Sequence, residues 1–360
     1  MQRSSGKNTV LSGKLTKIIA TICVIIIVFF AYMMRVVDRA LYVPCHPKAK
    51  TYLNLPEHAV EFEKKTTPRL PIESKWITSP YTHHRIQSSD TIELDTWWIP
   101  AVKKTKRTII LVHGYRSSKH SPRLLYLAGM YHYAGYNVAM FDYRNHGYSS
   151  CPTHMHTGGQ RESDDLLAVK KWLETKQGIP SASIGVHGVS LGGLTAMIAL
   201  DKDPKLAAVI AETPPYHMQT VAASELKRQG VPTIIQPIII GLEEGLVRYR
   251  LGIDLDEVTA KMGIDNLNNR PLMVIFAKQD RRVPYYGHFK RIISDAMCAQ
   301  QPLDLVVLDG ADHDSYMEKI LPWYEARTTG FFNKYLSHDK TSIKVKKSVI
   351  TIEAHKVPAS

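Results

Sequence analysis

The sequence predicts an α/β fold, a mostly parallel sheet covered by helices on both faces. Three observations predict it. From about residue 73 to 336, short β-rich runs alternate with helical stretches, the pattern of parallel strands joined by crossover helices. A Gly-Val-Ser-Leu-Gly turn at 188–192 sits between one such strand and an Ala/Leu-rich helix. Several chemically capable side chains fall just after strands, at the edge where α/β sheets gather their working groups. With 44% hydrophobic and 22% charged residues, the chain has ordinary globular composition and can bury a sizeable core.

Taken in order, the first element is basic. Residues 1–17 carry Arg3, Lys7, Lys14 and Lys17 without an acid. Residues 18–37 are nearly continuous apolar sequence, uncharged until Arg35. Roughly 20 residues at about 1.5 Å each span a bilayer core of about 30 Å, so this segment reads as a single-pass anchor. A cleaved signal peptide is the competing reading, but Tyr32-Met33-Met34 offers no small-x-small cleavage site. Arg35, Arg39, Lys48 and Lys50 follow the segment, so the positive-inside rule leans only weakly toward a cytoplasmic N-terminus, with the larger domain on the far side.

Residues 38–72 form a connecting arm broken by Pro44, Pro47, Pro56, Pro68 and Pro71. The α/β domain follows over 73–336. Its first strand, Ile92–Ile99, is expected to be antiparallel. The parallel strands are expected at Thr108–Val112, Val138–Phe141, Ile184–Val186, Ala207–Ile210, Leu272–Phe276 and Leu305–Leu308. Residues 337–360 are polar and basic, and are expected to form a loosely ordered tail.

The net charge of +13 raises nucleic acid as a partner. The excess is divided between the two ends, and no basic stripe interleaved with aromatics occurs, so attraction to an anionic membrane surface is the simpler account. Four cysteines are too few for a disulfide scaffold. Cys45, Cys151 and Cys298 have no metal-ligand spacing and are expected to be unpaired, with one disulfide open if the domain lies outside the cytoplasm. No metal or cofactor is expected.

The chemistry centres on Ser190. A strand, a sharp turn and a helix make a nucleophile elbow, in which Gly188 and Gly192 relieve crowding around the serine. A hydroxyl is a poor nucleophile until a base takes its proton. Downstream, strand 305–308 ends in Asp309-Gly310-Ala311-Asp312-His313 and strand 272–276 in Ala277-Lys278-Gln279-Asp280. His313 is therefore the candidate base and Asp280 the acid that orients it. Glu212, also at a strand end, is the alternative acid. The pair His113-Gly114 ends strand 108–112, which makes the Tyr115 N–H, with that of Leu191, the candidate oxyanion donors. Asp142 and Arg144, in Asp142-Tyr143-Arg144-Asn145-His146-Gly147-Tyr148-Ser149, read as a structural brace beside that loop, Arg144 pairing with a carboxylate.

These motifs resemble those of the α/β-hydrolase superfamily. His113-Gly114, Asp142-x-Arg144-x-x-Gly147-x-Ser149, Gly188-x-Ser190-x-Gly192-Gly193, Asp280 before Val283-Pro284, and Gly310-x-x-His313 occur in that superfamily's order over about residues 74–336. Within it the sequence is similar to the BEM46-like, serine-aminopeptidase-like and monoacylglycerol-lipase-like group. The resemblance implies about eight strands, a cap inserted after the sixth at about 214–270, and cofactor-free hydrolysis of esters, thioesters or small amides. Tyr115 is bulkier than some residues found at that position.

The cap region contains the apolar run Ile234–Leu242, able to receive an acyl chain, touch a membrane or simply pack over the sheet. With the anchor, an acyl ester or lipid is the expected substrate. A peptidase releasing N-terminal residues is the alternative, with Glu212, Glu243 or Glu244 seating the ammonium. A non-catalytic binding protein is disfavoured by the complete set Ser190, Asp280 and His313.

Overall fold

The computed structural model describes residues 13–45, 80–89, 91–313, 315–336 and 350–358. Among them, nine strands form one sheet: β1 (Thr82–Ser89), β2 (Ile92–Ile99), β3 (Thr108–Val112), β4 (Asn137–Phe141), β5 (Ile184–Val189), β6 (Ala208–Glu212), β7 (Leu272–Ala277), β8 (Leu303–Asp309) and β9 (Ile350–Lys356). Their order is β1-β2-β4-β3-β5-β6-β7-β8-β9. β2 pairs antiparallel with β1 and β4, and all other neighbours are parallel. The chain steps outward from β3 to β4 on one side and to β5 on the other, which opens a crevice at the C-terminal ends of β3 and β5.

The helices are α1 (Gly13–Leu41), α2 (Pro122–Tyr133), α3 (Gln160–Lys176), α4 (Leu191–Lys202), α5 (Met218–Arg228), α6 (Gln236–Leu251), α7 (Lys261–Asp265), α8 (Tyr285–Cys298) and α9 (Leu321–Tyr335). Strands β3 to β7 are buried along their whole length, which is why their sequences are continuous apolar runs without alternation. Leu166, Val169 and Leu173 of α3, the apolar side of α4 and Ile292 of α8 cover one face. Leu124 to Tyr131 of α2, with Phe331 and Phe332 of α9, cover the other. Each fully buried Leu, Ile or Phe contributes about 1.5–3 kcal/mol. Helices α5, α6 and α7 lie between β6 and β7.

The expectation of a loose tail is corrected at 350–356. This segment extends the sheet as β9, parallel to β8 from Leu303↔Ile350 to Asp309↔Lys356. Val357 is buried, and its N–H donates to the Asp309 carbonyl at 2.6 Å. Glu353 accepts from Arg327 at 2.8 Å. An edge strand is half solvated and can be polar in composition, which hides it from a reading by hydrophobicity. Residues 337–349, 1–12 and most of the arm, 46–72, lie outside the described residues.

Helix α1 includes Leu15–Arg35, 21 residues long and apolar enough to cross a membrane. Met33 and Val37 near its C-terminal end are buried with Ile239, Leu246 and Val247 of α6. The chain then docks on the domain. The Val43 N–H donates to the His154 carbonyl at 2.7 Å, Tyr42 bridges Met155, and Cys45 bridges Gly147. Cys45 and Cys151 form a disulfide, with Cα atoms 6.3 Å apart, which corrects the expectation of unpaired thiols. A partner 106 residues away leaves no signature in local spacing. Cys23 and Cys298 are free.

Candidate active site

Ser190 sits between β5 and α4 with φ 56° and ψ −120°. A side chain at positive φ is strained by about 1–3 kcal/mol, so the surroundings must hold it. The Ser190 N–H donates to the Glu212 carbonyl at 2.8 Å, and the Ser190 carbonyl accepts from Gly193 and Leu194 at 2.9 and 3.2 Å. The flanking glycines allow the turn to close. A Cβ on Gly188 would overlap the Gly192 carbonyl, and one on Gly192 would overlap the carbonyls of Val112 and His113. Helix α4 begins directly after the serine, so the Leu191 N–H has no acceptor within the helix and the helix N-terminus carries partial positive charge at the hydroxyl.

His313 and Asp280 come from the loops after β8 and β7. His313 Nδ1 and Asp280 Oδ2 are 2.6 Å apart, and both residues are buried. The other carboxylate oxygen, Oδ1, accepts the N–H groups of Arg282 and Val283, each at 2.8 Å. A carboxylate only accepts, so Nδ1 carries the hydrogen and Nε2 is left with a free lone pair. This is the tautomer a base needs.

The loop after β3 closes the site. A Cβ at Gly114 would lie 3.3 Å from Ser190 Cβ, so the loop passes directly over the serine. His113 is buried and held near a pKa of about 3 by burial and by neighbouring His146, hence neutral. Its Nε2 accepts from the Tyr143 N–H at 3.3 Å, so Nδ1 donates to the Gly114 carbonyl at 2.8 Å. In a trans peptide the carbonyl and the next N–H point opposite ways. By fixing the Gly114 carbonyl, His113 also fixes the direction of the Tyr115 N–H.

Asp142 and Arg144 brace this region. Asp142 accepts from Lys119 N and Nζ at 2.8 and 2.6 Å and from Tyr148 N at 3.1 Å. Burial pushes its carboxyl up, but Lys119, His113 and His120 outweigh it and hold the pKa at about 2. Lys119, on the loop following Tyr115, is itself fully buried. Arg144 grips Asp165, with Nη2 to Oδ1 at 2.6 Å and Nε to Oδ2 at 3.0 Å.

Glu212 is turned to other partners. It accepts from His187 Nε2 at 2.9 Å, Tyr324 OH at 2.8 Å, Arg123 Nη2 at 2.7 Å and Tyr316 OH. Burial raises its pKa, but Arg123, His187 and Tyr316 more than offset this and hold it well below the usual carboxylate range. The structure thus brings Asp280, and not Glu212, to the His313 ring. Arg123 links the two clusters, its Nη1 donating to the His313 carbonyl at 3.0 Å. Sequence reasoning missed Arg123 and Lys119, whose partners are distant in the chain. His187, a polar residue inside an apolar strand, was the one local signal of the Glu212 cluster. Among the described residues, Cys45, Cys151 and His154 have metal-ligand atoms close together, but the two sulfurs are bonded to each other and offer no thiolate.

Residues 128–339 match the sequence profile of the prolyl oligopeptidase family. The chain is similar to the thiohydrolase AneE of Aspergillus aculeatus, 24% identical over 36% of this chain and only 39% of that protein. In structure it is similar to the esterase Pf2001 of Pyrococcus furiosus, with TM-score 0.59, 24% identity, and 72% and 93% of the two chains covered. It is also similar to the acylaminoacyl peptidase of Pyrococcus horikoshii, with TM-score 0.56, 17% identity, and 79% and 44% covered. The matched segment takes in the elbow, the strand ends and most of the sheet, and the chain belongs to the prolyl oligopeptidase family, as a serine hydrolase of the α/β fold.

Proposed function

We propose that the chain is a membrane-anchored hydrolase of carboxylic esters or thioesters that works through an acyl-enzyme. The observation that carries this reading is the buried Asp280–His313 pair, 2.6 Å apart, at the sheet edge where Ser190 is held in a strained turn. Ser190 Oγ attacks the substrate carbonyl and its proton passes to His313 Nε2. The oxygen of the tetrahedral intermediate receives the Tyr115 and Leu191 N–H groups, each such donor being worth on the order of 10²–10³ in rate. His313 then gives its proton to the departing alcohol or thiol, leaving an acyl-Ser190 ester. Water enters, His313 takes its proton, and collapse of the second intermediate returns the proton to Ser190 and releases the acid. Asp280 holds the imidazole in place and stabilises its charged form.

Two comparisons favour esters over peptides. The esterase is matched along 93% of its length and the peptidase along 44%, and one curated relative is a thiohydrolase. The family match favours the second reading, a peptidase. We further infer that α1 anchors the chain and that the domain lies on the non-cytoplasmic side, since the Cys45–Cys151 disulfide belongs in an oxidising compartment.

The test is hydrolysis of p-nitrophenyl esters from acetate to palmitate by the full chain in detergent, with Ser190→Ala and His313→Ala as controls. Activity on medium or long chains, lost in both variants, supports the reading. Inert esters together with turnover of aminoacyl-naphthylamides select the peptidase. Absence of both, and of fluorophosphonate labelling at Ser190, overturns the catalytic assignment.

A further inference from the structure

The cap carries an apolar surface at the base of the anchor helix. Helices α5 and α6 meet in an elbow, and from Gln229 to Leu242 the chain has no Asp, Glu, Lys or Arg. One side of this stretch is packed inward. Ile239 joins Met33 and Val37 of α1, with Leu226, Leu246 and Val247, in a single buried cluster, and Val231, Ile240 and Leu242 pack against it. The other side is open: Ile234 is 84% and Ile238 58% exposed. Pro232, Thr233 and Pro237 beside them are exposed too.

The anchor determines what lies against that open side. The apolar stretch of α1 runs from Leu15 to Arg35, and its side chains from Ile18 to Phe30 are exposed on the protein. In a bilayer they face lipid. Arg35 marks the end of that stretch, and Met33 and Val37, on either side of it along about 6 Å of helix, are the residues α6 covers. The cap therefore meets α1 at the depth where the helix leaves the bilayer. Ile238 is adjacent in α6 to Ile239, which packs in this cluster, and Ile234 precedes that helix by two residues. Lys227 and Arg228 end α5 just before the elbow, placed as basic residues beside an apolar segment at a membrane surface are.

We propose that the elbow, Val231–Ile238, dips into the leaflet from which α1 emerges, its occupant being phospholipid acyl chains, so that the cap meets amphiphilic esters within the membrane. This rests on the reading of α1 as an anchor and of the site as an ester hydrolase. Seated this way, Ile234 and Ile238 leave water without any change of fold.

The experiment uses the full chain reconstituted in phosphatidylcholine vesicles, with the two free thiols removed as Cys23→Ser and Cys298→Ser. A bimane fluorophore is placed at Ile234→Cys, Ile238→Cys or, as control, Val102→Cys, which is 86% exposed in the connection between β2 and β3. Brominated acyl chains are expected to quench the label at 234 and 238 and to leave 102 unaltered. Equal quenching at all three sites, or none at 234 and 238, overturns the proposal. Alkaline carbonate extraction reads the anchor separately: protein that stays with the vesicles yet shows no quenching refutes the elbow alone, whereas protein that is extracted refutes the anchor. In the same vesicles, Ile234→Asp/Ile238→Asp is expected to lower kcat/KM on a membrane-embedded long-chain ester about tenfold, with turnover of p-nitrophenyl acetate unaltered. An equal loss on both substrates overturns the proposal.

Discussion

Glu243 offers a quantitative test of the electrostatics of α6. It lies on α6 four residues after Ile239 and four before Val247, on the face that packs inward. No hydrogen bond or ion pair to its carboxylate occurs among the described residues. Burial, then the neighbouring Glu244, push its pKa from 4.5 up to about 7, with Arg116 opposing. At about 1.4 kcal/mol for each tenfold in proton affinity, that gap is worth roughly 3 kcal/mol. The sign follows from proton counting. Between pH 4.5 and 7 the folded chain holds a proton that the unfolded chain has released, so this group's contribution is fully present below 4.5 and is lost as pH rises through about 7. Histidines held neutral by burial, such as His113 at about 3 and His288 at about 3, act in the opposite sense between about 3 and 6.5, so the wild-type profile alone is ambiguous. The difference between Glu243→Gln and wild type cancels them. The variant is expected to match wild type near pH 5 and to exceed it by up to roughly 3 kcal/mol at pH 9, several degrees in Tm, read by thermal unfolding of the full chain in detergent. A Tm difference independent of pH between 5 and 9 would refute the reasoning.

Two more predictions concern contacts that span the fold. Arg123→Ala removes the cation from buried Glu212 and the donor from the His313 carbonyl, so stability should fall by about 3–5 kcal/mol; with the base misplaced, kcat should drop more than KM rises, which steady-state kinetics on an ester below the unfolding temperature would show. Reducing Cys45–Cys151, which closes a loop of 106 residues, should cost about 2–4 kcal/mol, read as a lower unfolding midpoint with dithiothreitol, and thiol labelling of the unfolded chain should rise from two groups to four.

The features legible in the sequence are those whose geometry is local. An elbow needs Gly188, Ser190 and Gly192 within five residues, because the carbonyls of Gly192, Val112 and His113 leave no room for a Cβ. The strand cores from β3 to β8 are legible because burial on both faces demands uninterrupted apolar runs. Asp280 and His313 are visible only as polar residues at strand ends, and their pairing depends on β7 and β8 being neighbours, which the alternation of elements implies. Glu212 shows the limit of that reasoning. It ends a strand as Asp280 does, but Arg123, Tyr316 and Tyr324, from helices and loops distant in the chain, claim its oxygens. β9 and the disulfide escape for a related reason: one is a half-solvated edge strand, and the other joins cysteines whose approach depends on the whole fold.

That same remoteness ties the segment after α1 to the site. Arg116, one residue beyond the Tyr115 N–H, has a positive φ of 53°, a conformation that needs external support. Its Nε donates to the Tyr42 carbonyl at 3.0 Å, and its guanidinium lies over the Tyr115 ring, 5.1 Å from the centroid. Tyr42 in turn stacks on His154, 5.1 Å between ring centroids, and is followed by the disulfide at Cys45. The segment leaving α1 therefore supports the turn that presents a candidate oxyanion donor. A chain lacking residues 1–45 gives up the Cys45–Cys151 disulfide, worth about 2–4 kcal/mol, and the buried Val43, while its sheet and its Asp280–His313 pair are built wholly from later residues. It would still lose the contact that holds Arg116 in place. Oxyanion stabilisation depends on donors already aimed before the reaction begins, so in the proposed mechanism the segment after α1 bears on turnover.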